Sequence, residues 1–186
     1  MLPILDESTG LLLKAIHFSA NKHRGQRRKD LEQTPYINHP IEVAQRLWEI
    51  GGVRDPFTLI AAVLHDTIED TDTSEQEIEV LFGQEVRSVV MEVTDDKSLP
   101  KQERKRLQIE HAAGASIRAK LIKLSDKSCN LADLLLSPPP SWNLERQRQY
   151  VLWTEQVVAR LRGTNSALEE SYYEILRFGK QALNIS

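Results

Sequence analysis

Apolar residues recur at three- and four-residue intervals along almost the whole chain, the spacing of helices that bury one face. Leu12, Ala15, Ile16 and Ser19 share such a face after the capping candidates Asp6, Ser8 and Thr9, which predicts a first helix running to about Arg24. From Gly25 to Asn38 the pattern lapses. That stretch is polar and basic, carries Pro35 and follows neither period, so it reads as an ordered loop of unusual length. Pro40 suits a first helical position, and Ile41, Ala44, Leu47 and Trp48 form a stripe that stops at Gly51-Gly52. Asp55-Pro56 opens another helix, which carries Leu59, Ala62 and Val63 inward and runs on into LHDTIED, where the apolar face gains acids and an imidazole.

The same period continues to the C-terminus. Ser74 to Glu77 matches a capping box for a short helix with Ile78, Leu81 and Phe82 inside, closed by Gly83. Val86, Val89, Val90 and Val93 keep helical spacing despite the strand preference of valine. The charged segment LPKQERKRLQIEH has few apolar positions, which predicts a helix on the surface or over a site. Leu121, Leu124, Leu131 and Leu135 mark a long helix from Ile117 to Leu136, stopped by Pro138-Pro139-Pro140. Tyr150, Trp153, Val157 and Leu161 define a helix ended by Gly163, and Leu168, Tyr172, Ile175 and Leu176 define the last. No strand pair with hairpin chemistry, internal repeat or low-complexity tract is visible. The expectation is an all-α helical bundle, one domain over residues 1–186.

Composition narrows the function. A chain of 186 residues with 40% hydrophobic and 27% charged residues can build one core and fold without a partner. A net charge of -3 argues against broad affinity for nucleic acid or an anionic membrane, while leaving local basic clusters free to grip a small anion. The lone cysteine, Cys129, excludes an internal disulfide and a thiolate metal site, so any metal is held by nitrogen and oxygen. MLPILDESTG lacks the cationic start and apolar run of a signal peptide, and no stretch is apolar enough to span a bilayer, which together point to a cytoplasmic protein.

Four residues stand beside apolar runs that would draw them inside: His39, the pair His65-Asp66, and Asp126. Singly, a histidine beside a proline is an ordinary cap and an aspartate in a helix is solvated. Jointly, imidazole and carboxylate on three helices suit one divalent transition metal. At helical spacing Glu69 lies one turn beyond His65 and Asp70 one turn beyond Asp66, aiming two acids at the same region, where one could take a proton from an attacking water. Acids are unfavourable near a helix C-terminus, which favours a functional reading. Arg24, Arg27, Arg28, Lys29, Lys97, Arg104 and Arg106 are candidate phosphate-binding cations, although most such charges form solvated faces.

The succession HRGQRRKD, TPYINHP, AAVLHDTIEDT, EVTDDK and AKLIKLSDKSCNLADL resembles the hydrolase domain of the RelA/SpoT alarmone enzymes, and most of all its small stand-alone metazoan SpoT homolog type. The likeness runs from the first helix to at least QRQYVLWTEQVV. It implies an all-α HD-type fold and a manganese-dependent pyrophosphohydrolase that removes the 3′-diphosphate of guanosine tetra- or pentaphosphate, the alarmone of the stringent response. It further implies His39, His65, Asp66 and Asp126 as metal ligands and Glu69 and Asp70 as the pair that positions and activates water. Arg28, Lys29, Lys97, Asn130, Arg146 and Tyr150 become contacts to a nucleotide, the small-molecule partner. Ser128-Cys129 departs from the Leu-Tyr pair more usual there, which bears on the nucleoside pocket near Asn130. The synthetase and regulatory domains of the full-length family have no room in this length.

Three other readings stay open on sequence. The same chemistry could remove the 2′-phosphate of NADPH, or serve a generic HD nucleotidase or phosphodiesterase, or the pocket could persist in a non-catalytic nucleotide-binding module. The last would be marked by a missing ligand or acid, and none is missing.

Overall fold

The structure, a computed structural model, describes residues 7–185, so the capping candidate Asp6 lies outside the described residues. The elements are α1 (Glu7–Lys22), α2 (Asn38–Glu49), α3 (Pro56–Leu64), the single turn α4 (Thr67–Asp70), α5 (Glu75–Phe82), α6 (Gln84–Val93), α7 (Lys101–Ala112), α8 (Ile117–Leu136), α9 (Leu144–Ala159) and α10 (Ser166–Ala182). The fold is all-α, as the periodicity implies. Ser8 and Thr9 fall inside α1 rather than ahead of it.

α3 is the centre. Every residue from Thr58 to Leu64 is buried, so this helix is apolar on all sides and α1, α2, α6 and α8 close around it. Asp55 starts it by accepting from Thr58 N at 3.1 Å, with Pro56 at the first helical position where no N–H is needed. α8 is the second axis, packed on α2, α3, α6, α9 and α10, and it begins on a Ser116 cap. Asn143 and Asn165 cap α9 and α10 in the same way. Ser74 caps α5 as expected, but its capping box is only half made, because Glu77 turns to Lys22 at 3.1 Å.

Three details differ from the sequence pattern. The buried stripe of α2 is His39, Pro40, Val43 and Leu47, whereas Ile41 and Trp48 face solvent and Trp48 lies under Arg54 at 3.7 Å. Counting hydrophobic residues misses this face because it includes a histidine. The helix read as continuous through LHDTIED breaks after Leu64. And the loop before α2 is closed by an isolated antiparallel bridge between Arg27 and Pro35, with Arg28 N donating to Thr34 O at 2.9 Å and Tyr36 N to Gln26 O at 3.2 Å. It packs against no sheet, so no alternation of apolar residues announces it.

The glycine stops hold. Gly52, Gly83 and Gly163 all have positive φ, a region closed to most side chains. Gly51 is needed for another reason: a Cβ there would lie 2.8 Å from Leu47 O and 2.9 Å from Leu168 Cδ1, where α2 meets α10. Gly51→Ala is expected to destabilise the fold by about 1–3 kcal/mol. Gly10→Ala, in an open position of α1, should instead stabilise by up to about 1 kcal/mol, both read from urea unfolding midpoints.

Candidate active site

The site is built on the break after α3. His65 (φ -57, ψ -32) and Asp66 (φ -97, ψ -4) form a turn before α4, and Thr67 Oγ1 satisfies Leu64 O at 2.7 Å. The turn leaves His65 in the core and swings the acids of α4 toward α8. His65 Nδ1 lies 2.7 Å from Ala62 O, which can only accept, so Nδ1 carries a proton and Nε2 is the nitrogen turned to the carboxylates.

That Nε2 is buried and has no hydrogen-bond partner. It lies 3.1 Å from Asp66 Oδ2 and 3.7 Å from Asp126 Oδ1, while His39 Nε2 lies 3.0 Å from Asp126 Oδ1 and 3.9 Å from Asp66 Oδ2. The ligating atoms of His39, His65 and Asp126 all fall within 4.8 Å of one another. Two imidazoles and two carboxylates thus converge from the start of α2, the α3–α4 break and the middle of α8. This His/Asp group could bind a metal ion, and an orphaned buried imidazole nitrogen beside two carboxylates is what such an ion would satisfy.

The electrostatics follow from the crowding. Burial opposes ionisation of Asp126, but the Lys127 ammonium at 2.8 Å from its Oδ2 and the two imidazoles hold its carboxyl well below the usual range. Burial likewise works against Asp66, and His65 and His39 overcome it. For His65 the balance is reversed: burial pulls its pKa down, and Asp66 and Asp126 raise it well above the ordinary value. Glu69 behaves differently. Burial, then the charges of Asp95, Asp66 and Asp70, push its pKa up to about 7 against the N–H of Asp95, which donates to Oε2 at 3.1 Å. Asp70 accepts from the Lys97 ammonium and, at 3.2 Å, from Tyr36 Oη, which also lies 2.7 Å from Asp66 Oδ2.

These groups line a cavity of about 170 Å³ that opens on a cleft of about 980 Å³. Arg28, Lys29, Asn130, Arg146 and Tyr150 line the cleft. Lys97 does not line it, being tied to Asp70, and Arg106 faces away on α7 between Glu103 and Glu110. Arg28 Nη2 reaches Asn130 Oδ1 at 2.9 Å and Asp133 Oδ2 at 2.5 Å, and Asn130 Nδ2 donates to Asp126 Oδ1 at 2.5 Å, so the loop, the cleft and the buried centre are hydrogen-bonded in series. Ser128 and Cys129 are fully buried and line neither cavity.

Some contributors escaped the sequence reading. Tyr36 sits inside TPYINHP, three residues before His39, where its phenol could have been noticed. Lys101 and Lys105, four apart on α7, face the cleft; burial and then neighbouring cations, Arg146 among them for each, lower the proton affinity of both ammonium groups. Trp153, read only as a core position of α9, turns to the cleft beside the expected Tyr150, and Arg146 lies over Trp142 at 4.4 Å.

Comparison with known proteins agrees with this architecture. The HD domain family matches residues 15–163. The chain is 55% identical to the guanosine-3′,5′-bis(diphosphate) 3′-pyrophosphohydrolase MESH1 of Xenopus tropicalis, over 89% of this chain and 92% of that one. The human protein of the same name is 54% identical, over 89% and 93%. A solved structure described as a metazoan ortholog of SpoT that hydrolyzes ppGpp superposes with a TM-score of 0.89 at 50% identity, covering 96% of this chain and 97% of that one.

The raised Glu69 carboxyl has a consequence for stability. Its folded form binds a proton more tightly than the unfolded chain, so ionisation weakens the fold as pH rises from its ordinary 4.5 toward about 7. In protein stripped of divalent cations, Glu69→Gln should raise the urea midpoint at pH 8 and raise it less at pH 5. Equal gains at both would contradict the burial of this carboxylate.

Proposed function

The chain belongs to the HD domain family, and from that membership we propose that it is a guanosine-3′,5′-bis(diphosphate) 3′-pyrophosphohydrolase, one catalytic domain working in the cytoplasm on a small nucleotide. The observation that supports it most is the meeting of His39, His65, Asp66 and Asp126 at the floor of a cleft bordered by arginines and lysines, with Glu69 and Asp70 beside them. Relatives more than 50% identical over nine tenths of their length carry the same activity in their names.

A divalent cation, manganese in the preferred reading, would be held by those two imidazoles and two carboxylates and would supply the Lewis acidity that polarises a phosphoryl oxygen and acidifies water. Everything else is done by the chain. Glu69, with a pKa of about 7, is partly ionised at neutral pH and suits a base that takes the proton of the attacking water. Asp70, held by Tyr36, orients that water on the other side. Water adds to the phosphorus of the 3′-diphosphate, the bond from phosphorus to the ribose oxygen breaks, and the proton held by Glu69 is available to the departing 3′-oxygen. Products are GDP or GTP and pyrophosphate.

The cleft supplies the grip. Arg28 presents a planar guanidinium near the buried centre, suited to stacking on a base or pairing with phosphate, and Asn130 offers its amide alongside. Lys29 and Arg146 add charge, Tyr150 adds an aromatic face, and Lys97 serves a phosphate once it releases Asp70. Cys129 is a buried free thiol, consistent with a reducing compartment.

Asp66→Ala and Asp126→Ala are each expected to lose bound metal in elemental analysis, whereas Glu69→Ala keeps the metal and loses about 10²–10⁴ in kcat. Unchanged metal content in both aspartate variants would remove the basis of the site. Turnover of guanosine tetraphosphate and of NADPH by the manganese-loaded protein separates the two substrates, and a negligible rate on the tetraphosphate would reject the activity proposed.

A further inference from the structure

The cations at the buried end of the site are matched by carboxylates, with one exception. Lys127 pairs with Asp126 at 2.8 Å, Lys97 with Asp70, and Arg104 with Glu69 at 3.4 Å. Lys123 stands one turn before Lys127 on the same face of α8. Only 9% of it is exposed, yet it makes no hydrogen bond or ion pair with any described residue.

Its surroundings explain why it stays uncommitted. Lys123 lies in the wall between the 170 Å³ cavity and a second cavity of about 630 Å³ behind α7, a wall it shares with Asp95 and Gln108. Asp95 Oδ2 is already taken by Gln108 Nε2 at 2.6 Å, which leaves Gln108 Oε1, among the described residues, as the one uncharged acceptor on this wall without a partner. Glu69 is taken by Asp95 N and Arg104. Asp126 is taken by Lys127, His39 and Asn130. Burial, then the like charge of Lys127, therefore lowers the proton affinity of Lys123, and the distant attraction of Asp95, Asp126 and Glu69 does not restore it. An ammonium at the end of a mostly buried side chain with no acceptor from the protein is poorly solvated, and an anion arriving in the cavity would pair with it.

We propose that Lys123 is a catalytic residue whose ammonium donates to a non-bridging oxygen of the phosphoryl group under attack. The inference rests on the hydrolase reading for the reaction, but not for the anion. Among the described residues lining the small cavity, Lys123 and Lys127 are the only lysine or arginine side chains, and Lys127 is occupied. Charge grows on the non-bridging oxygens as water adds, and a fixed donor in a site shielded from solvent stabilises that charge more than the ground state. The competing role is structural, a counter-charge that lets Glu69, Asp95 and Asp126 coexist.

The two roles predict opposite effects on the fold. In metal-loaded protein, Lys123→Met should keep the metal content and leave Tm unchanged or higher, because a mostly buried charge without a protein partner is gone. It should weaken the binding of inorganic phosphate at least tenfold by calorimetry and lower kcat on guanosine tetraphosphate on the order of 100-fold. Lys123→Gln, which keeps a polar end, is measured in parallel in case the methionine variant does not fold. Phosphate affinity equal to wild type, no phosphate binding by wild type, or a joint loss of stability and metal in both variants would overturn the proposal. Should wild type fail to hydrolyse the tetraphosphate, the activity is rejected, while the phosphate comparison still decides the role of Lys123.

Discussion

A carboxylate in the middle of a core helix is tolerated only where donors and positive charge surround it, and Asp126 meets that condition from four sides. His39, Lys127 and Asn130 bond to it, and His65 stands 3.7 Å away. Removing any one partner would leave buried charge uncompensated, a larger loss than the pair itself is worth. The arrangement ties α2, the end of α3 and α8 to one point. Residues with no packing role elsewhere are held there by their charge, and the same crowding creates the donor set for a cation.

The end of α3 decides which way that donor set faces. An uninterrupted helix from Pro56 to Asp70 would keep His65 and Glu69 on one stripe and Asp66 and Asp70 on another. The turn at His65-Asp66 buries the imidazole against Ala62 O and carries both acids of α4 toward the cavity. Glu69 then sits in a half-buried environment that raises its proton affinity, while Asp66, one turn earlier, is held ionised by imidazoles. Two acids three residues apart acquire opposite character from their neighbours, which is how one short segment can offer both a ligand and a base.

In the proposed hydrolase, a narrow polar cavity opening on a wide charged cleft would divide chemistry from binding. α7 has a single buried residue, Ala112, so it contributes little to the core. Its work is done at the cleft, where Lys101, Arg104 and Lys105 face Arg146 and Trp142 across the opening. A helix that is polar all round and still well placed is explained by that position. Its packing partner α9 turns Tyr150 and Trp153 the same way.

Every helix but the single turn α4, and most helix ends, were legible in the sequence, because local chemistry sets them: Asp55-Pro56 starts a helix, Gly52, Gly83 and Gly163 stop one, and apolar spacing reports a buried face. The motif spacing around HDTIED carried the family. Three things were decided only in three dimensions. The break after Leu64 is invisible to periodicity, since its backbone groups are satisfied by the turn itself. The bridge between Arg27 and Pro35 depends on pairings that leave no alternation behind. And the commitments of Lys97, Lys127 and Lys123, to one carboxylate, to another and to none, arise from residues distant in the chain. Local propensity is written residue by residue, whereas the partner of a buried charge is fixed by which helices meet.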